Sequence, residues 1–90
     1  MFGGTTMTET IIGNVTHYYT DLQVATVMIT DGELHLGDMI HVEGHTSDFT
    51  QKIGSMELDH HSVEVAKPGD IVGIATDEYA REHDIVSIVH

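Results

Sequence analysis

The sequence predicts an all-β domain, a small closed six-stranded β-barrel of Greek-key type. Three observations carry that expectation. Apolar residues recur with the two-residue period of strands almost from end to end. Turn signals separate the runs at close spacing, and no stretch holds an apolar face through three helical turns. In a chain of 90 residues, closing the sheet on itself is the simplest way to remove exposed edges.

Taken in order, residues 1–9 lack periodicity and read as a disordered N-terminus, leaving residues 10–90 as a single barrel domain. Thr10 to Tyr19 is rich in β-branched and aromatic residues, and Leu22 to Thr30 follows the polar turn Thr20-Asp21. Asp31-Gly32 and Leu36-Gly37-Asp38 are turn signals. Met39 to Glu43 alternates, with Ile40 and Val42 inward, His41 and Glu43 outward, and Gly44 closing the strand. Phe49 to Leu58 reads as one longer strand with Phe49, Gln51 and Ile53 on a common face. The apolar phase shifts at Gly54-Ser55, which predicts a β-bulge there. Lys67-Pro68-Gly69-Asp70 is a turn in which proline fixes one φ and glycine supplies the permissive one. Ile71 to Thr76 and Asp84 to Val89 complete the strands, with room for one short helical turn between Asp77 and His83.

Composition narrows the function classes. Fifteen acids face only Lys52, Lys67 and Arg81, a formal net charge of −12. Such a surface repels phosphate backbones and offers no basic stripe, which disfavours generic nucleic-acid binding. It reads either as a solvated, self-repelling surface or as adaptation to a salty cytoplasm. Protonating all eight histidines would bring the charge to −4, so the surface is sensitive to mild acid. Without cysteine, disulfides, thiolate metal sites and thiol nucleophiles are excluded. The first residues carry neither a basic cluster nor a long apolar run, so a cytoplasmic location is expected, with no membrane partner. No phosphate-binding glycine loop ending in Gly-Lys-Ser/Thr is present, and no nucleotide or other cofactor is expected.

The histidines do not form an obvious metal site. His41 and His45 are four apart, which suits a helix, but on a strand that spacing spans roughly 13 Å. Asp59-His60-His61-Ser62 has the residue types of a hydrolase triad, yet four adjacent residues cannot converge on one point as triad members do. A polar turn explains them better, and no catalytic residue is assigned. The candidates for partner binding are His45, Thr46, Asp48 and Phe49, one aromatic among hydrogen-bonding groups in an expected loop, together with His17 and Tyr18. Each has a structural alternative: Asp48 and the hydroxyls ordering a turn, Phe49 entering the core, and the tyrosines packing between strands.

Two stretches resemble the second domain of translation elongation factors. Gly32-Glu33-Leu34-His35-Leu36-Gly37-Asp38-Met39-Ile40-His41-Val42-Glu43-Gly44 is similar to that domain's first Gly-Asp signature, and Ala66-Lys67-Pro68-Gly69-Asp70-Ile71-Val72-Gly73-Ile74 to its second. Ile53 to Leu58 falls where that domain runs a bulged central strand. Val15-Thr16-His17-Tyr18-Tyr19 and Gly44 to Gln51 are further similar to small elongation factor-like proteins and to the C-terminal domain of collagenase-like peptidase-family proteins, some of which act in RNA hydroxylation. The resemblance implies a non-catalytic interaction module that binds a protein, or an RNA–protein assembly, in translation or RNA modification. Transfer RNA or ribosome contact is implied by resemblance and opposed by charge, which leaves a protein as the expected partner. The alternatives are an assembly protein pairing through barrel edges and an accessory subunit of a peptidase-like enzyme.

Overall fold

The computed structural model describes residues 8–90, and the disorder expected of the N-terminus lies outside the described residues up to residue 7. Ten strands follow one another: β1 (Glu9–Tyr19), β2 (Val24–Ile29), β3 (Leu34–His35), β4 (Met39–Glu43), β5 (Asp48–Lys52), β6 (Met56–Leu58), β7 (His61–Ser62), β8 (Val65–Ala66), β9 (Ile71–Ala75) and β10 (Ile85–Val89). Eight form one antiparallel sheet in the order β5-β4-β10-β1-β2-β9-β6-β7, and β3 pairs with β8 beside it. The all-β expectation holds, and among the described residues there is no helix, not even the turn expected between Asp77 and His83. None is therefore long and apolar enough to cross a membrane.

The strand alternation expected from the sequence is the alternation observed. Ile40 and Val42 are buried while Met39 and Glu43 are exposed, and Phe49 and Gln51 point inward from β5. Leu34, Ala66, Val72, Ile74 and Val86 are wholly excluded from solvent at the centre of the core. At roughly 1.5–3 kcal/mol per fully buried aliphatic side chain, this face is what holds the sheet in its curl.

The closed six-stranded barrel is not what the ladder shows. Among the described residues β5 and β7 are free edges, so the eight-stranded sheet is open. The run Phe49 to Leu58 is not one bulged strand either. It is two strands on opposite flanks of the sheet, the edge strand β5 and the next-to-edge strand β6, joined by Ile53–Ser55. The change of phase at Gly54 marks that crossing, and the stretch is no central strand. A connection of three residues spans at most about 14 Å, so the two flanks curl close together. One buried side chain spans the seam: Gln51 Nε2 donates to the Ala75 carbonyl (3.0 Å), and its Oε1 accepts the Asp77 N–H (2.9 Å).

The bulges sit in β1 instead. Its register against β10 slips at Ile12 and against β2 at Thr16. Gly13 lies where a Cβ would come within 2.1 Å of the Met28 carbonyl oxygen, so only glycine permits that approach. At the second bulge the Thr16 and Thr26 hydroxyls bond each other at 2.7 Å, and the extra residue re-aims His17 and Tyr18 at the end of the strand.

Candidate functional site

Three turns share one construction. In His35-Leu36-Gly37-Asp38 and Lys67-Pro68-Gly69-Asp70, the aspartate N–H donates to the first residue's carbonyl (3.1 and 2.9 Å). Its carboxylate accepts the first residue's N–H (2.8 and 2.9 Å). Glycine holds the left-handed position, with φ of +90° at Gly37 and +96° at Gly69, as a type II turn requires. The third turn, Arg81-Glu82-His83-Asp84, repeats both bonds at 3.1 and 2.8 Å, but His83 occupies the left-handed position at φ +76°. An L-residue there costs roughly 1–2 kcal/mol. The surroundings hold it in place: the His83 N–H donates to the Val15 carbonyl and the Val15 N–H to the Asp84 carbonyl, both at 2.8 Å. Asp84 is itself buried, and a Cβ on Gly44 would overlap its carboxylate.

That strained turn carries one wall of a cleft. Tyr79, Ala80, Arg81 and Glu82 face His17, Tyr18 and Thr20 across a volume of about 370 Å³. A second hollow of about 480 Å³ continues from it along His17 to Leu22. Ala80 is buried and seats the loop, while Tyr79 is 66% exposed. Tyr18 leans on the core and meets Tyr79 edge-on, with ring centroids 5.6 Å apart. The His17 and Tyr19 rings meet edge-on at 4.4 Å. An aromatic surface thus stands open, with Tyr19 and Leu22 exposed beside it.

The other expected site residues are separated from this cleft in role, although the register brings them to the same end of the sheet, with Ile85 opposite both Glu43 and Asn14. His45 and Thr46 are exposed in the loop between β4 and β5, which is closed by the Gly44 N–H donating to the Ser47 carbonyl at 2.8 Å. Phe49 is buried in the core and Asp48 turns outward to His41. The structural alternative weighed for Phe49 is the arrangement found. Asp59-His60 forms a two-residue hairpin turn between β6 and β7, both residues at positive φ as in a type I′ turn. Tyr79 and Arg81 were missed by the sequence reading. The signal for them was the sequence Arg81-Glu82-His83-Asp84, a turn of the Gly-Asp type with histidine in place of glycine.

His41 occupies the centre of a second, outward-facing cluster. Its Nδ1 lies 2.8 Å from Glu9 Oε1 and its Nε2 2.5 Å from Asp48 Oδ1. The hydrogen bonds to Asp48 and Glu9 hold the imidazole pKa above its ordinary 6.5, against a smaller opposing effect of burial. His41, Glu43 and Asp48 also place three ligand atoms within 4.8 Å of one another. With both ring nitrogens already bonded to carboxylates, the cluster is a closed ion-pair network spanning β1 to β5.

No family model matches the chain. It is 33% identical over 79 residues to an uncharacterised protease of Methanocaldococcus jannaschii, and 34% identical over 82 residues to a collagenase of Porphyromonas gingivalis. These matches take in 87% and 90% of this chain but 19% and 23% of the relatives, so it spans about a fifth of their length. The crystal structure of the C-terminal domain of a Geobacillus thermoleovorans protein named as a U32 peptidase superposes with a TM-score of 0.80. That match covers 86% of this chain and 96% of that domain, at 21% identity. The fold is that of a U32 peptidase C-terminal domain.

These findings support the collagenase-like half of the expected resemblance, overturn the elongation-factor half and lend no support to the translation role. The reason is physical. Both Gly-Asp signatures act as turns in which aspartate caps its own loop, and a turn of that kind serves any tightly curled sheet.

Proposed function

We propose that the chain is a non-catalytic accessory module that docks onto a U32-peptidase-like enzyme through the cleft of His17, Tyr18 and Tyr79. The observation that carries this reading is the pattern of coverage. Similarity runs through most of this chain but a fifth of proteins named protease and collagenase, and the same fold has been crystallised as a separate C-terminal domain. A unit that folds apart from the rest of a peptidase is suited to positioning it or its substrate. The run Asp59 to Ser62 is absorbed by a hairpin turn, and His41 is held by its carboxylates, so neither offers a free acid–base pair. In this reading the curled sheet works as a barrel, with Gln51 closing the seam between β5 and β9.

The test is affinity capture of the tagged chain from its native lysate at native salt, with and without ribonuclease. The expected result is enrichment of a protein bearing a U32 peptidase catalytic region, retained after ribonuclease and lost with Tyr79→Ala. Recovery of RNA–protein assemblies that disappear with ribonuclease would overturn the reading.

A further inference from the structure

The aromatic cleft combines three features that together specify a ligand chemistry. Its faces are π-surfaces: Tyr18 and Tyr79 line the cleft and Tyr19 the hollow beyond it. Its rim is acidic. Glu82 lines the cleft and Asp21 the adjoining hollow, while Asp77 and Glu78 are exposed immediately before Tyr79. Arg81 is the one cation in the lining, and the whole chain carries only three against fifteen acids. Third, the wall is built on a backbone held in a left-handed conformation at His83, clamped by the buried Asp84. Strain retained beside an open surface is characteristic of sites that must keep a fixed shape.

Electron-rich ring faces attract cations, more strongly where water is partly excluded, and flanking carboxylates add a Coulombic attraction of their own. A carboxylate or phosphate ligand would meet Arg81 but would first have to approach a molecule of charge −12. We infer that this cleft binds an arginine- or lysine-bearing segment of a protein partner, seating the cationic side chain against Tyr18 and Tyr79 with Glu82 beside it. This rests on the accessory-module reading and adds the chemistry of the surface to which the module docks. Charge brings the partner in; the rings select the residue that enters.

The molecule contains its own reporter. It has three tyrosines and no tryptophan, and all three tyrosines line the cleft or its extension. Tyrosine emission of the full chain is therefore a direct probe. Titration with an acetylated, amidated peptide of alternating arginine and glycine should change that emission saturably, and the matched glutamate peptide should not. Tyr79→Ala should weaken binding at least about fivefold and Tyr79→Phe, which keeps the ring, should leave it nearly unchanged. Glu82→Gln should weaken it about twofold, and raising KCl from about 50 to about 500 mM should weaken it further. Because Tyr79 and Glu82 are exposed, circular dichroism should show both variants folded.

Absence of a saturable change with the arginine peptide, equal binding of the glutamate peptide, or indifference to Tyr79→Ala would each overturn the inference. A single-stranded oligonucleotide that binds the cleft more tightly than the arginine peptide would do the same. The two readings fail separately. If a U32-type enzyme is captured through Tyr79 but the arginine peptide does not compete for it, the cationic ligand falls and the accessory role stands. If the peptide binds and no such enzyme is captured, the accessory role falls and the cleft chemistry stands.

Discussion

The His41 cluster and the tyrosine cleft both draw on β1, both contain histidine and both face outward, yet they are opposites. At His41 each ring nitrogen has a carboxylate partner, and the side chain is only 16% exposed between Glu9 and Asp48. At the cleft the rings of Tyr19 and Tyr79 stand open, and the supporting turn holds a residue with a Cβ where its two counterparts hold glycine. Chemically rich side chains are not what separates an open surface from a closed one here. The first region spends its polar groups on itself. The second leaves its surface uncovered and retains backbone strain beneath it.

The largest effect expected from breaking that contrast comes from Gly44. A Cβ at this position would sit 1.9 Å from Asp84 Oδ1, and Asp84 is buried and anchors the third turn. Gly44→Val should cost about 2–3 kcal/mol in urea unfolding and abolish peptide-induced changes in tyrosine emission. A variant that unfolds like the parent would disconnect the β4–β5 loop from the cleft.

A smaller, pH-dependent effect should mark the closed cluster. His41 has a folded-state pKa raised above 6.5, so its stabilisation is complete below about pH 6.5 and is lost as pH rises through the folded value. Glu9 and Asp48 are 42% and 74% exposed, so solvent screening limits the contribution to about 1 kcal/mol. Melting of parent and His41→Gln across this range should show a gap in favour of the parent at acid pH that narrows towards alkaline pH. The other histidines and the acidic surface act on both proteins and cancel in the difference. A gap independent of pH would mean that the imidazole is held by packing.

The third turn offers a gain in stability. His83→Gly relieves the left-handed penalty and returns some chain entropy to the unfolded state, for a net stabilisation of about 0.5 kcal/mol. Gly69→Ala, at φ +96°, should do the reverse. Comparing the two by denaturant midpoint tests whether the three turns are equivalent in all but that residue. Smallest of all, Tyr79→Ala should change stability by less than about 0.5 kcal/mol, since the ring is 66% exposed. A larger loss would make Tyr79 a packing residue and the cleft part of the fold.

How much of this was legible in the sequence follows from the range over which each feature is determined. Alternation in β4 and the Lys67-Pro68-Gly69-Asp70 turn were legible because residues a few positions apart decide them. Phe49 to Leu58 was misread because Ile53–Ser55 carries the chain from one flank of the sheet to the other. A local change of apolar phase looks the same whether it marks a bulge or a crossing. The glycine in two Gly-Asp turns was visible, and the histidine in the third concealed an identical hydrogen-bond pattern. His17 and Tyr18 were found through composition, but the facing Tyr79 comes from a loop about sixty residues away, and the pairing of β1 with β10 brings it near. The elongation-factor likeness rested on turn chemistry, which does not carry function.

The seam at Gln51 bears on how the molecule moves. Along the eight-stranded ladder, neighbouring strands share repeated backbone bonds, whereas β5 reaches β9 through a single amide side chain. Thermal opening follows such a line before it breaks a ladder. In hydrogen exchange, the Asp77 amide should lose protection ahead of the core amides of β1 and β2, at a free energy below that of global unfolding. Asp77 also lies near the start of the loop that carries Tyr79, so each opening of the seam loosens the near wall of the cleft. The hinge of the cleft is thus set by the point at which the sheet fails to close.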